Sequence, residues 1–353
     1  MNKYTKRITA CLGIIGATAL LPFNNEVSAQ DIHFTQFNMN PLSVNPAFTG
    51  AFAGDLRVSG IYRDQWRLPS TGKATFSTFA ASIDMPIIKD LAVDDYLAAG
   101  IQLYNDVAGD GNMANFTALA SVAYHKFLGL DGKKALTVGI QGGYVQKSLD
   151  LSKLYFGDEF VDGDWFRGST AEELQNRASS YLINAGIAWS HAVNDRFSYV
   201  IGAGANNLNM PAESFNRRPA NKDVGLYIRY TGQLGAIYQV NERFSLRPAV
   251  LFQTQASANE IIAGNEFHYT LGNDYEKSTS PAIFAGLWYR HEDAVMGTVG
   301  VEWSGFRLGF GYDVTTSSAA DFNNGVGGFE VSLRYIKPSV FETRKLIYPC
   351  GRF

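Results

Sequence analysis

Charge is scarce in this sequence. Asp, Glu, Lys and Arg make up 18% of its 353 residues, against about a quarter in an average soluble domain. The formal net charge is −3 with no basic run, which excludes an electrostatic nucleic-acid binder, because that class needs a basic face. Beyond the first 29 residues no apolar run approaches the roughly 18 residues of a membrane-spanning helix. A helical membrane protein is therefore excluded. Cysteine is nearly absent, with only Cys11 and Cys350. Chemical motifs are missing too: no G-x-S-x-G, no P-loop, and no G-x-G-x-x-G following a strand. The five histidines, His33, His125, His191, His268 and His291, show no metal-type spacing, and no cofactor is expected. Asp158, Glu159, Asp162 and Asp164 crowd one segment, but they do not follow the EF-hand spacing and read as a solvated acidic loop. Ser121 and His125 share one face of a predicted strand, yet four residues separate them by roughly 13 Å, too far for a nucleophile and its base. An enzyme is the weakest reading.

What the sequence does have is glycine, 35 residues, and aromatics, 13%, with near-neutral hydropathy. That mixture suits a membrane β-barrel, whose alternating strands average out apolar and polar faces. Residues 1–29 read as a secretory signal peptide. Lys3, Lys6 and Arg7 precede an apolar stretch from Ile8 to Leu21, and Val27-Ser28-Ala29 supplies small residues before a mature start at Gln30. Cys11 would leave with it, so the mature chain would hold no internal disulfide.

From Asp55 onward the dominant period is two. Leu97, Ala99, Ile101 and Leu103 alternate with Gly100, Gln102 and Tyr104, while Phe306, Leu308, Phe310 and Tyr312 alternate with Arg307, Gly309, Gly311 and Asp313. A soluble sandwich alternates as well. Three features favour a barrel: segments of about 9–12 residues, long enough to cross a bilayer at a tilt; aromatic ends such as Tyr181, Trp189, Trp303 and Tyr335; and charges of both signs on the polar face. Lipid would penalise such charges by roughly 2–4 kcal/mol for Arg or Lys at mid-depth, so Arg290, Glu302, Arg307, Asp313, Glu330 and Arg334 are expected to face the lumen.

The count is about fourteen strands, making an all-β outer-membrane antiparallel barrel over residues 55–335. Its connections alternate in length, as long outer loops and short periplasmic turns do. The connection from Thr270 to Ser280 is an exception, longer than its side favours. Pro248 falls inside a predicted strand and calls for a bulge or local break. Residues 30–54 and 336–353 show no period, and each is expected to be periplasmic or to enter and plug a lumen too wide for side chains alone to fill.

The run from Gln30 through Phe34-Thr35-Gln36-Phe37, Asn40-Pro41-Leu42 and Asn45-Pro46-Ala47-Phe48-Thr49-Gly50, followed by Tyr62-Arg63-Asp64-Gln65-Trp66, closely resembles the start of mature PorP/SprF proteins. The resemblance continues through Leu246-Arg247-Pro248-Ala249-Val250, Gly286-Leu287-Trp288-Tyr289-Arg290, Arg307 to Val314 and Glu330 to Tyr335, and so covers essentially the whole mature chain. Two places depart from the family pattern. The chain ends Pro349-Cys350-Gly351-Arg352-Phe353 where members often end Cys-Pro-Arg-Phe, and it carries Asn206-Asn207 where members commonly place a His.

The resemblance implies a bacterial outer-membrane component of the type IX secretion system, associated with gliding machinery. Such a protein is non-enzymatic and assists secretion or surface anchoring of specific exported proteins such as adhesins. The implied partners are cargo proteins or their C-terminal domains, type IX components in the periplasm and outer membrane, and the lipid bilayer. A passive porin for small solutes is the alternative. Asn45 and Pro46, with Tyr62, Arg63 and Trp66, are expected to form a periplasmic entrance and inner contact, or merely to seat the N-terminal segment in the barrel.

Overall fold

Alternation with no break long enough for a helix leaves the chain one way to satisfy its backbone in lipid, a sheet closed on itself. The computed structural model describes residues 34–66, 76–92, 95–109, 111–129, 132–166, 168, 170, 173–212, 214–215, 225–272, 280–318, 320 and 325–339. Residues 1–33, including the expected signal peptide, and the tail from residue 340, including Cys350, lie outside these.

Fourteen strands form one closed antiparallel barrel. They are β1 (Leu56–Gln65), β2 (Phe76–Lys89), β3 (Tyr96–Ala108), β4 (Met113–Leu128) and β5 (Lys134–Ser148), then β8 (Arg177–Asn194), β9 (Phe197–Asn206), β10 (Arg229–Gln239), β11 (Phe244–Gln255), β12 (Ala258–Thr270), β13 (Ala282–Arg290), β14 (Ala294–Trp303), β15 (Phe306–Thr315) and β16 (Val326–Lys337). Between β5 and β8 a small separate hairpin, β6 (Phe160–Val161) with β7 (Asp164–Trp165), sits in the longest connection. Each barrel strand pairs with its sequence neighbours. β1 closes the ring on β16 without a break in register, from Leu56 opposite Lys337 to Gln65 opposite Gly328.

The faces are inverted relative to a soluble sheet. Ile101, Ile140, Val299, Leu287 and Phe310 are exposed on the outside, while Gln102, Gln141, Thr298, Arg307 and Glu330 are buried inside. Aromatics gather at both ends of the outer wall. Trp303 stacks on Phe306, and Phe306 lies 4.5 Å from Tyr335, at the end bearing the chain termini. Tyr181 meets Tyr144 at the other end.

The β14–β15 connection is a two-residue turn, Ser304 and Gly305, both at positive φ (46° and 85°). This is the backbone of a type I′ hairpin, which matches the twist of the strands it joins. The connections of β4 to β5, β8 to β9, β10 to β11 and β14 to β15 lie on the same side as both chain ends and are short, whereas those of β5 to β8, β9 to β10 and β15 to β16 lie opposite and are long. The connection from β12 to β13 stays long on the short side.

Two prolines shape the wall. Pro248 produces a gap and no bulge: pairing of β10 with β11 runs to Gly235 opposite Ala249 and resumes at Tyr238 opposite Leu246 in the same register. Its other edge stays paired, opposite Asn265 of β12. Pro86 carries a true register shift against β3, between Pro86 and Ile88. The bulge lets β2 run on to Lys89, further than its alternation suggests.

An outward position at mid-strand tests which face meets lipid. Ile140, 64% exposed on β5, changed to Arg lowers barrel stability by about 2–4 kcal/mol, read as a shifted urea midpoint for unfolding from vesicles. An unchanged midpoint would put that face away from the hydrocarbon.

Candidate functional site

A ring of fourteen strands encloses more space than its inward side chains fill, and here residues 34–52 occupy it. Phe34, Met39, Asn40, Leu42, Asn45, Ala47, Thr49 and Phe52 are all buried. The segment folds as three 3-10 turns, Phe37–Met39, Pro41–Ser43 and Pro46–Phe48. Proline at the first position of the latter two favours such turns because its φ is preset and its missing N–H is not needed there. We call this segment the plug.

Apolar plug residues rest on apolar islands of an otherwise polar inner wall. Phe34 packs with Ile61, Ala80, Tyr104 and Leu182. Phe37 and Val44 pack with Leu251, Ile262, Trp288 and Met296, and Ala47 and Phe48 with Ala188 and Val200.

Polar plug groups are held by charge. Arg63 of β1 lies between two carboxylates, donating to Asp313 at 2.6 Å and to Glu330 at 2.5 Å. Glu330 also accepts the backbone N–H groups of Thr35 (2.7 Å) and Gln36 (3.0 Å). The Thr35 hydroxyl donates to Asp313 at 2.6 Å, and Ser332 donates to Gln36 Oε1 at 2.8 Å. Arg290 extends the cluster by ion pairs to Glu260 (3.0 Å), Asp293 (2.8 Å) and Asp313 (3.6 Å). All of these anchors sit near the long-loop end of their strands, on or close to the β1–β16 seam.

The plug's other end is held near the chain termini. Arg57 grips Asp84 with two hydrogen bonds (2.9 and 2.7 Å) and donates to Phe48 O. Asp84 in turn accepts the Gly50 N–H at 2.6 Å. His125 Nε2 lies 2.7 Å from Thr49 O, and the Thr49 hydroxyl donates to Ser121 Oγ. Ser121 and His125 thus bind the same plug residue and do not bind each other. The plug therefore runs down the lumen, from the loop end at Thr35 to the terminus end at Phe52.

A second ionic cluster lines the terminus end. Arg307 donates to both Glu266 and Glu302 and stands 3.8 Å over the Phe284 ring. Arg247 pairs with the same two carboxylates (3.4 and 3.8 Å), and His268 Nε2 lies 3.1 Å from Glu302. Arg334 reaches the Asn38 carbonyl at 3.4 Å.

The residues singled out from the sequence separate into groups. Asn45 is fully buried at mid-lumen. Its Nδ2 donates to the Ile187 and Ala203 carbonyls (both 3.2 Å) and to Gln233 Oε1 (3.0 Å), while its Oδ1 accepts the Ala47 N–H. Glycine makes that approach possible: a Cβ on Gly186 would overlap Asn45 Oδ1, and one on Gly139 would overlap the Pro46 carbonyl. Arg63 is the plug's anchor at the loop end. Tyr62 faces away from the plug. Strand alternation turns it outward opposite Phe79, and it is 39% exposed with its hydroxyl donating to Asp64. Trp66 lies just past β1, its backbone N–H donating to Gly327 O and its ring edge-on to Phe76. Arg63 and Trp66 are therefore at the end opposite the chain termini, and the expected entrance built from Asn45, Pro46, Tyr62, Arg63 and Trp66 on the terminus side is not one site. The six expected lumen charges, Arg290, Glu302, Arg307, Asp313, Glu330 and Arg334, are all buried on inward-facing positions.

Sequence reading assigned no site role to Arg57, Asp84, Thr35, Glu266 or His268. Asp84 did leave a trace: it is a charge on the inward side of β2, in line with Thr78, Ala80 and Ser82. In the acidic loop, Glu159 accepts the N–H groups of Phe156 and Gly168, and Asp158 accepts the Thr170 hydroxyl. Among the described residues no three His, Cys, Asp or Glu side chains are grouped to hold a metal ion.

Removing Arg63 takes the cation from between Asp313 and Glu330 in a closed space and leaves Asp313 with the longer pair to Arg290 (3.6 Å). Arg63→Ala is expected to destabilise the barrel by about 3–5 kcal/mol and to open residues 34–52 to protease, with partial recovery in Arg63→Lys. A parent-like melting curve and cleavage pattern would remove this cluster as the plug's anchor. Gly186→Leu, which displaces the Asn45 amide, is expected to loosen the plug in the same cleavage assay while leaving the Arg63 cluster intact.

The barrel is similar in fold to solved transporters. The toluene transporter TodX of Pseudomonas putida superposes with a TM-score of 0.51 at 9% identity, covering 88% of this chain and 96% of that one. The toluene transporter TbuX of Ralstonia pickettii does so at 0.46 and 11% identity, covering 88% and 95%. These likenesses are of fold. No curated protein matches the sequence. Residues 26–335 match the family described as "Type IX secretion system membrane protein PorP/SprF", and with most of its length inside that match the chain belongs to the PorP/SprF family.

Proposed function

We propose that this protein is a non-enzymatic, plugged outer-membrane component of the type IX secretion system that helps deliver or anchor particular exported proteins at the cell surface. The observation that carries the reading is the plug. Residues 34–52 fill the lumen and are tied to the wall at both ends, an arrangement suited to a scaffold or gate and poorly suited to free diffusion of solutes. In this reading the long-loop end faces outward and the chain termini face the periplasm, because outer-membrane barrels keep their short turns on the periplasmic side. Cargo proteins or their C-terminal domains would meet the long loops, and the other secretion components would dock on the short-turn side.

Comparing surface and culture-fluid proteomes with and without the gene is expected to show one or a few large exported proteins lost and the rest intact. Unchanged proteomes would overturn the secretion role. In planar bilayers the purified protein is expected to be electrically silent, and deletion of residues 34–52 to produce steady unitary steps. Unitary steps from the intact chain would favour a passive porin for small solutes instead.

A further inference from the structure

The connection between β5 and β8, residues 149–176, carries seven acidic and two basic residues, a net of −5 against −3 for the whole chain. Within it the β6–β7 hairpin is firmly built. Asp162 and Gly163 form its turn, both at positive φ (53° and 92°), the type I′ backbone that suits a two-residue hairpin. Glu159 is buried and closes the stem. Its carboxylate accepts the N–H groups of Phe156 and Gly168, and its carbonyl accepts that of Phe166. The base of the connection rests on the β3–β4 turn, where the Asp150 N–H donates to Gly111 O and a Cβ on Gly111 would meet Leu154.

This frame holds aromatic rings in solvent. Phe160 and Trp165 pair across the two strands with ring centroids 5.0 Å apart, and Tyr155 stands edge-on to Trp165, also at 5.0 Å. Phe160 and Trp165 are 50% and 48% exposed, and Tyr155 is exposed with them. Asp158, Asp162 and Asp164, all exposed, intersperse these rings along the chain. An exposed apolar cluster rimmed by polar groups marks an interaction surface, and one already held in shape loses little further freedom when a partner arrives.

We propose that the β6–β7 hairpin docks a cationic segment of an exported protein, one in which Lys or Arg side chains recur between apolar ones. Aromatic rings attract a cation over their faces, and the interspersed carboxylates draw the segment in from a distance. An anionic lipid surface is the wrong occupant, because like charge repels it from a connection this acidic. The inference rests on the secretion reading for the source of the segment, but not for its chemistry.

The test is binding of two fluorescent peptides of equal length to the full-length protein in nanodiscs of neutral lipid, one alternating Arg with Ala and the other Glu with Ala. The Arg peptide is expected to bind and the Glu peptide to stay free. Trp165→Ala is expected to weaken the Arg peptide about tenfold, and Trp165→Tyr to retain most of the binding. Asp162→Asn combined with Asp164→Asn leaves the rings in place, and is expected to weaken binding about threefold and to flatten its salt dependence. Tyr227→Ala, an exposed aromatic just before β10, should leave binding unchanged. Equal binding of the two peptides, or undiminished binding in both hairpin variants, would overturn the site. Binding of a neutral oligosaccharide in place of the Arg peptide, lost in Trp165→Ala, would overturn the cationic segment in favour of a glycan. In cells, Trp165→Ala is expected to reproduce the surface proteome of the gene deletion. A deletion phenotype that Trp165→Ala does not share would overturn the hairpin as the docking site and leave the secretion role standing. A deletion without phenotype would overturn the secretion role and the exported source of the segment, while the peptide titration still decides the chemistry of the hairpin.

Discussion

A sheet edge cannot be left open in hydrocarbon, because every unpaired N–H or C=O there is several kilocalories per mole out of balance. The unbroken pairing of β1 with β16 meets that constraint, and most of what distinguishes this molecule follows from it. Closing fourteen strands creates a lumen, and the same alternation that turns Ile101, Ile140 and Leu287 toward lipid turns Gln102, Gln141 and Arg290 inward. The interior is thus obliged to be polar. A polar interior this wide must be wetted or filled, and here a segment preceding the first strand fills it.

The filling is as selective as the wall. Charged anchors hold the plug near both mouths, with Arg63, Asp313 and Glu330 at one and Arg57 and Asp84 at the other. Apolar islands and close-approach glycines receive its middle. Hydrogen bonds from successive backbone N–H groups of the plug to Glu330 fix chain direction as well as position. The Arg307 cluster differs in kind. It binds wall to wall across β12, β14 and β15 at the terminus end of the barrel.

Much of the barrel was legible because period-two alternation has a direct physical cause, one face in lipid and one in the lumen. Strands such as β11, β13 and β14 start and stop close to where their alternation and flanking turns place them. The plug was legible as a segment without period, but its path was not. Nothing local in Asn45-Pro46 or in Arg63 states that the first sits at mid-lumen and the second at the loop end, since their heights depend on the shear of the closed ring. The face of Tyr62 was available from the alternation with Arg63, and the motif that groups the two residues in sequence obscured it. Inward apolar residues such as Leu182, Leu251 and Met296 break no visible rule because they answer to the plug, a partner distant in sequence. Pro248 signalled a disturbance correctly, while Pro86 passed unnoticed because a bulge absorbs it and the strand continues.

The contact between Thr35 and Glu330 joins residues 295 positions apart. Such a contact belongs to the very top of the contact-order range, where the entropy of closing the chain must be met before any native pairing rewards it. Thr35 leaves the ribosome before any barrel strand, and its carboxylate partner arrives with the last strand. The plug's loop end therefore cannot be fully seated as the wall grows. Its Glu330 anchor must wait until β16 is in place, while Arg57, Asp84 and His125 on earlier strands can already hold residues 48–50.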